Sequence, residues 1–215
     1  MLALIVILRL LAPLLILRWP LTGVAASMAL DAYDYQIIGS SFIGYHNYQV
    51  VDKLLDTYFL LIMGLTVRKW ADARAKKIAY ALIGWRLIGV IIFIGTGLEY
   101  VLFFFPNLFL DFYLFYALYT RWSRQSTLIT SPAVAAAILV TMAIPKLVSE
   151  YTLHVSRLAG VSVPDWLQRF IALPQLSQML LMALPSLTLL GYYVIVRRQP
   201  KADQLKIKSM GKPVS

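Results

Sequence analysis

The stretch Asp31–Asp56, "DAYDYQIIGSSFIGYHNYQVVDKLLD", decides how this chain is read. It holds four of the ten acidic residues in a sequence of 215, and its flanks are among the most apolar parts of the chain. Asp31 and Asp34 stand at i, i+3, and Asp52 and Asp56 at i, i+4. On helices each pair shares one face. The polar turn between them, "GSSFIGYHN" (39–47), brings the two helix ends together. Four carboxylates at close range repel one another strongly unless cations accompany them. Hard oxygen donors suit Mg²⁺, Mn²⁺ or Ca²⁺. Two such ions can polarise a phosphate and organise a displacement. Solvated residues at span ends are the plainer account of any single aspartate.

Composition sets the class. The chain is 60% hydrophobic and 14% charged, with mean hydropathy +0.73, whereas a soluble domain carries roughly 25% charged residues. This is the composition of an integral membrane protein, and the lengths of the apolar runs favour helices over barrel strands. Seven apolar stretches are visible: 2–17, 21–38, 49–67, 78–97, 98–120, 131–149 and 174–196. The fourth and fifth nearly merge, with Gly95, Gly97 and Pro106-Asn107 as the candidate bends. The expectation is an all-α, polytopic transmembrane helical bundle of six to seven spans over 1–196. A basic, disordered tail follows over 197–215. Segment 150–174 has mixed polarity and reads as an interfacial helix or a surface loop.

The net charge is +10. In such a chain it implies basic cytoplasmic loops and contact with anionic lipid headgroups. Nucleic acid is not an expected partner, because no helix-turn-helix or RNA-binding pattern is present. Cysteine is absent, which excludes disulfides and thiolate metal sites. Basic residues cluster in "VRKWADARAKK" (67–77), around Trp122 (Arg121 and Arg124), and in the tail. The tail is expected in the cytoplasm, on a plasma or cytoplasmic membrane. "VAAS" (24–27) is a faint cleavage-site pattern without a basic leader.

The aspartate spacing resembles that of the CDP-alcohol phosphatidyltransferase family, Asp-x2-Asp-Gly-x2-Ala-Arg-x8-Gly-x3-Asp-x3-Asp. Asp31, Asp34, Asp52 and Asp56 fall on that pattern without an insertion. Upstream, "LRLLAPLLIL" (8–17) is similar to the family's Arg-then-Pro apolar opening, and Arg86 falls near an expected fourth-helix arginine. The resemblance implies two divalent ions, Mg or Mn, held by Asp31, Asp34, Asp52 and Asp56. It also implies that Asp56 is the general base for an incoming alcohol, with a CDP-linked donor in phospholipid synthesis. The departures lie beside the aspartates. Tyr35 and Tyr48 stand in place of the motif glycines, and Ile38-Gly39 in place of Ala-Arg. A missing side chain permits close approach of a ligand, so the tyrosines fill space the nucleotide would use. Two functions follow. One is a metal-dependent transferase of a phospho-alcohol group. The other is an inactive relative serving as a structural or accessory subunit of a larger membrane complex, or as a homodimer.

Other residues draw weaker expectations. Arg86 inside a span can meet a lipid phosphate, pair with an aspartate, or snorkel beside Trp85. His46 and His154 lack a second soft ligand nearby and read as solvated. Tyr33, Tyr35, Tyr45, Tyr48 and Tyr58 read as interfacial anchors, with pocket lining as the sharper alternative. Glu99 and Asp111, candidates for an ion path, read as residues near span ends.

Overall fold

The computed structural model describes residues 2–38, 45–154, 164–171 and 175–197. Among them every regular element is helical. The order is α1 (Leu2–Leu11), a 3-10 turn (Ala12–Leu17), α2 (Pro20–Ile38), α3 (Tyr45–Val67), α4 (Ala73–Thr96), α5 (Val101–Phe104), α6 (Leu108–Ser123), α7 (Pro132–His154), α8 (Asp165–Ile171) and α9 (Gln175–Arg197). These track the seven apolar stretches closely.

The breaks have local causes. Pro13 has no N–H and its ring clashes with the preceding turn, so α1 tightens into the 3-10 segment. Gly23 lets that segment lie against α2, since a Cβ there would fall on the Ile16 backbone. Asp72 caps the start of α4. Gly97, with φ 71°, ends it in the left-handed conformation that glycine tolerates. Pro106-Asn107 separates α5 from α6, and the Asn107 side chain caps α6 through Leu110 N.

Helix α6 sits at the centre. Phe109, Phe112, Tyr113, Phe115, Tyr116 and Tyr119 are all buried, and they join residues of α2, α3, α4, α7 and α9 in one core. Trp70 stacks on Tyr116 with ring centroids 3.9 Å apart, and the Tyr113 and Thr66 hydroxyls share a 2.6 Å hydrogen bond. Apolar side chains also cover the outside: Leu4, Ile7, Leu11, Ile88, Ile91, Ile94, Val140 and Ile144 are exposed.

Two helical stretches among the described residues are long and apolar enough to cross a membrane: Ala73–Thr96, and Val101–Ser123 taken across the α5–α6 break. Over the residues whose side chains are described, the 3-10 turn with α1, and α7 and α9, contribute the shorter apolar segments Leu4–Leu17, Pro132–Val148 and Ala183–Val196. Six to seven spans is therefore more than helix length and composition support. In α3 the reason lies in particular residues: Asp52, Lys53 and Asp56 sit within the helix. The expected tail, beyond Arg197, lies outside the described residues.

Candidate functional site

The aspartates occupy the facing parts of α2 and α3, Asp31 and Asp34 on α2 and Asp52 and Asp56 on α3. The Asp34 side chain is outside the described residues. The other three converge: one carboxylate oxygen from each of Asp31, Asp52 and Asp56 lies within 4.8 Å of the others. Asp52 is buried, Asp56 half-buried and Asp31 more open. The spacing of Asp52 and Asp56 thus does what helix geometry requires, laying the two residues one turn apart on a common face.

Arg9 stands in the middle. Its Nη1 donates to Asp52 Oδ1 at 2.8 Å, and its Nη2 donates to Asp31 Oδ1 at 2.5 Å and Asp56 Oδ1 at 2.9 Å. Lys53 closes the other side, with Nζ 2.6 Å from Asp52 Oδ2 and 3.1 Å from Asp56 Oδ2. A planar guanidinium suits this role because its N–H groups point in fixed directions toward several carboxylates. Arg9 is the one charge in its helix and is buried. Its position follows from α1: Tyr58 Oη donates to the Leu10 carbonyl at 3.0 Å, holding α1 along α3.

The donor set fits a hard divalent cation, being carboxylate oxygen throughout. Arg9 stands where such a cation would be. The three carboxylates, one guanidinium and one ammonium together carry one net negative charge.

The surrounding residues divide. Tyr48 is buried, packed with Ile5, so it lines the protein interior instead of anchoring at an interface. Tyr35 falls outside the described side chains, as do those of Tyr33, Tyr45, His46 and His154. The backbone places His46 in the first turn of α3, not in a loop. Arg86 is only 4% exposed, which removes snorkelling to the interface. Its Nη1 donates to the Phe105 carbonyl at 2.7 Å, satisfying backbone freed at the α5–α6 break. Glu99 lies in the turn after α4, and Asp111 in the first turn of α6.

A second constellation was not singled out from the sequence. Asp72, the lone acid of the 67–77 run, is buried and accepts four backbone N–H groups. Oδ1 takes Arg74 N and Ala75 N, both at 3.0 Å. Oδ2 takes Leu128 N at 2.7 Å and Ile129 N at 2.8 Å. Arg74 adds a 2.6 Å bond to the Thr130 carbonyl. The available signal was its place before a helical run, the ordinary N-cap position. This clamp joins the α3–α4 and α6–α7 connections, so Arg68, Lys69, Arg74, Lys76, Lys77, Arg121 and Arg124 gather at one end of the bundle. Along α3 that end lies about 22 Å from Asp52.

Comparison with protein-family models, with curated proteins and with solved structures found no match.

Proposed function

We propose that this chain is a multi-pass membrane protein on a CDP-alcohol phosphatidyltransferase-like scaffold, and that its acidic cluster serves metal-dependent transfer of a phospho-alcohol group. The observation that carries this reading is the convergence of Asp31, Asp52 and Asp56 from two helices onto one point. Asp31, Asp34, Asp52 and Asp56 would hold Mg²⁺ or Mn²⁺, whose contribution when bound is to neutralise charge on the donor phosphates. Asp56 would accept the proton of the incoming hydroxyl, with Lys53 Nζ 3.1 Å from its Oδ2 holding the carboxylate. Arg9 and Lys53 restrain the cluster, so most of the rate would come from positioning. The outward apolar faces of α1, α4 and α7 support immersion in lipid.

A second reading has its own observation. Arg9 and Lys53 already engage every described oxygen of Asp52 and Asp56, and buried Tyr48 occupies the place of a family glycine. On that reading the cluster is an ion-pair lock in an inactive relative, kept as a structural or accessory subunit or a homodimer. The test is transfer from a panel of CDP-linked donors by the purified chain in anionic-lipid vesicles, with Mg²⁺ or Mn²⁺. Asp56→Asn is the control. Turnover that needs metal and disappears in Asp56→Asn supports the transferase. Its absence with every donor leaves the lock.

A further inference from the structure

Arg9 reaches the acidic cluster from a different helix than any aspartate, and it touches one oxygen of each described carboxylate. The same three residues offer the oxygens that lie within 4.8 Å of one another. A divalent ion placed among them would sit within a few ångströms of the guanidinium, and like charges at that range repel strongly. Each oxygen that accepts a guanidinium N–H keeps a second lone pair, so what excludes the ion is the charge of the guanidinium and the space it fills between the three carboxylates.

We propose that Arg9 is a built-in cation that guards the cluster: Arg9 and a divalent ion hold Asp31, Asp52 and Asp56 in turn, never together. The inference rests on the metal-binding reading above and adds the residue that regulates loading. With Arg9 withdrawn, Asp31, Asp52 and Asp56 face Lys53 alone among the cations that touch them, and a divalent ion would take the place of the guanidinium charge. Lys53 stays, because its two contacts are with the opposite oxygens of Asp52 and Asp56. The unloaded state keeps its charges satisfied by Arg9, which lets α1 close onto α2 and α3 without metal. Loading then has a structural signature, the loosening of α1.

The experiment uses the full chain in detergent micelles and titrates Mn²⁺, following free Mn²⁺ by electron paramagnetic resonance. Wild type, Arg9→Gln and Asp52→Asn are compared. Arg9→Gln is expected to bind one Mn²⁺ per chain about tenfold tighter than wild type or better. Added Mn²⁺ is expected to raise its melting temperature more than that of wild type, because an ion that binds only the folded form stabilises it. Asp52→Asn is expected to weaken binding. If Arg9→Gln yields no folded protein, Arg9→Lys substitutes for it; a single ammonium cannot span three carboxylates, so it too binds Mn²⁺ tighter than wild type. Equal affinity in wild type and the Arg9 variant overturns the guard while leaving a metal-dependent function standing. No binding in any form overturns both.

Discussion

The Asp72 carboxylate ties Leu128 to the start of α4 across 56 residues of sequence. One oxygen caps the helix and the other serves two N–H groups of the α6–α7 connection. The Tyr116 hydroxyl reinforces the junction, accepting from Asp72 N at 3.4 Å and donating to the Ser126 carbonyl at 2.9 Å. Losing a cap costs about 0.5–2 kcal/mol, and orphaning buried N–H groups adds about 1–3 kcal/mol. Asp72→Ala is expected to lower stability by roughly 3 kcal/mol. Asp72→Asn, with a single acceptor oxygen, should fall between it and wild type. Melting temperatures in detergent check the order; an Asn variant as damaged as the Ala variant would show that the two oxygens do not act separately.

Two glycines of α4 separate packing from propensity. A Cβ at Gly89 would fall inside the Phe105 side chain, whereas one at Gly84 meets nothing within 4 Å. Gly89→Ala therefore overpacks the contact between α4 and the α5–α6 break and is expected to cost about 1–3 kcal/mol. Gly84→Ala gains helix propensity, up to about 1 kcal/mol, with no clash. The two melting temperatures should move in opposite directions. A shift of the same sign in both would mean that Phe105 does not rest on Gly89.

Within the acidic cluster the carboxylates are unequal. Asp52 has 11% of its side chain exposed and both oxygens paired, while Asp31 has 46% exposed and a single described contact to Arg9. Breaking a buried charge network costs about 3–5 kcal/mol, and an exposed pair is worth about 0–1 kcal/mol. Asp52→Asn should therefore destabilise the metal-free chain much more than Asp31→Asn does. Equal losses in thermal unfolding would remove Arg9 and Lys53 as the partners that matter.

The helices were legible because apolar runs bounded by glycine, proline and charge have few alternatives. The stretches 78–97 and 131–149 became α4 and α7 with small shifts at their ends. The pairing of Asp31 with Asp52 and Asp56 was legible for a related reason: helical spacing fixes which face a residue takes, and the connection was short. Arg9 was visible as a lone charge in an apolar run, but its partners were not, because nothing local says where α1 packs. Asp72 was hidden by its neighbours. Five basic residues around one acid read as a solvated, orientation-setting run, and its tie to Leu128 and Ile129 exists only once α6 brings those residues back.

The separation of charge along the bundle makes the last prediction. The basic residues gathered by the Asp72 clamp lie at one end of α3 and α4, and the acidic cluster lies toward the other. Glu99 follows the far end of α4, a helix of 24 residues and about 36 Å. Lys69 and Glu99 are therefore expected on opposite faces of the membrane. The chain has no cysteine, so Lys69→Cys and Glu99→Cys each give a single labelling site. In intact cells a membrane-impermeant maleimide should label one of the two and spare the other; labelling of both, or of neither until lysis, would remove the transmembrane placement of α4. Which site is labelled bears on function. Positive charge tends to stay in the cytoplasm, which would label Glu99→Cys and leave the acidic cluster facing away from cytoplasmic nucleotides, as the ion-pair lock allows. Labelling of Lys69→Cys instead would turn the cluster toward the cytoplasm, the side from which a CDP-linked donor can reach it.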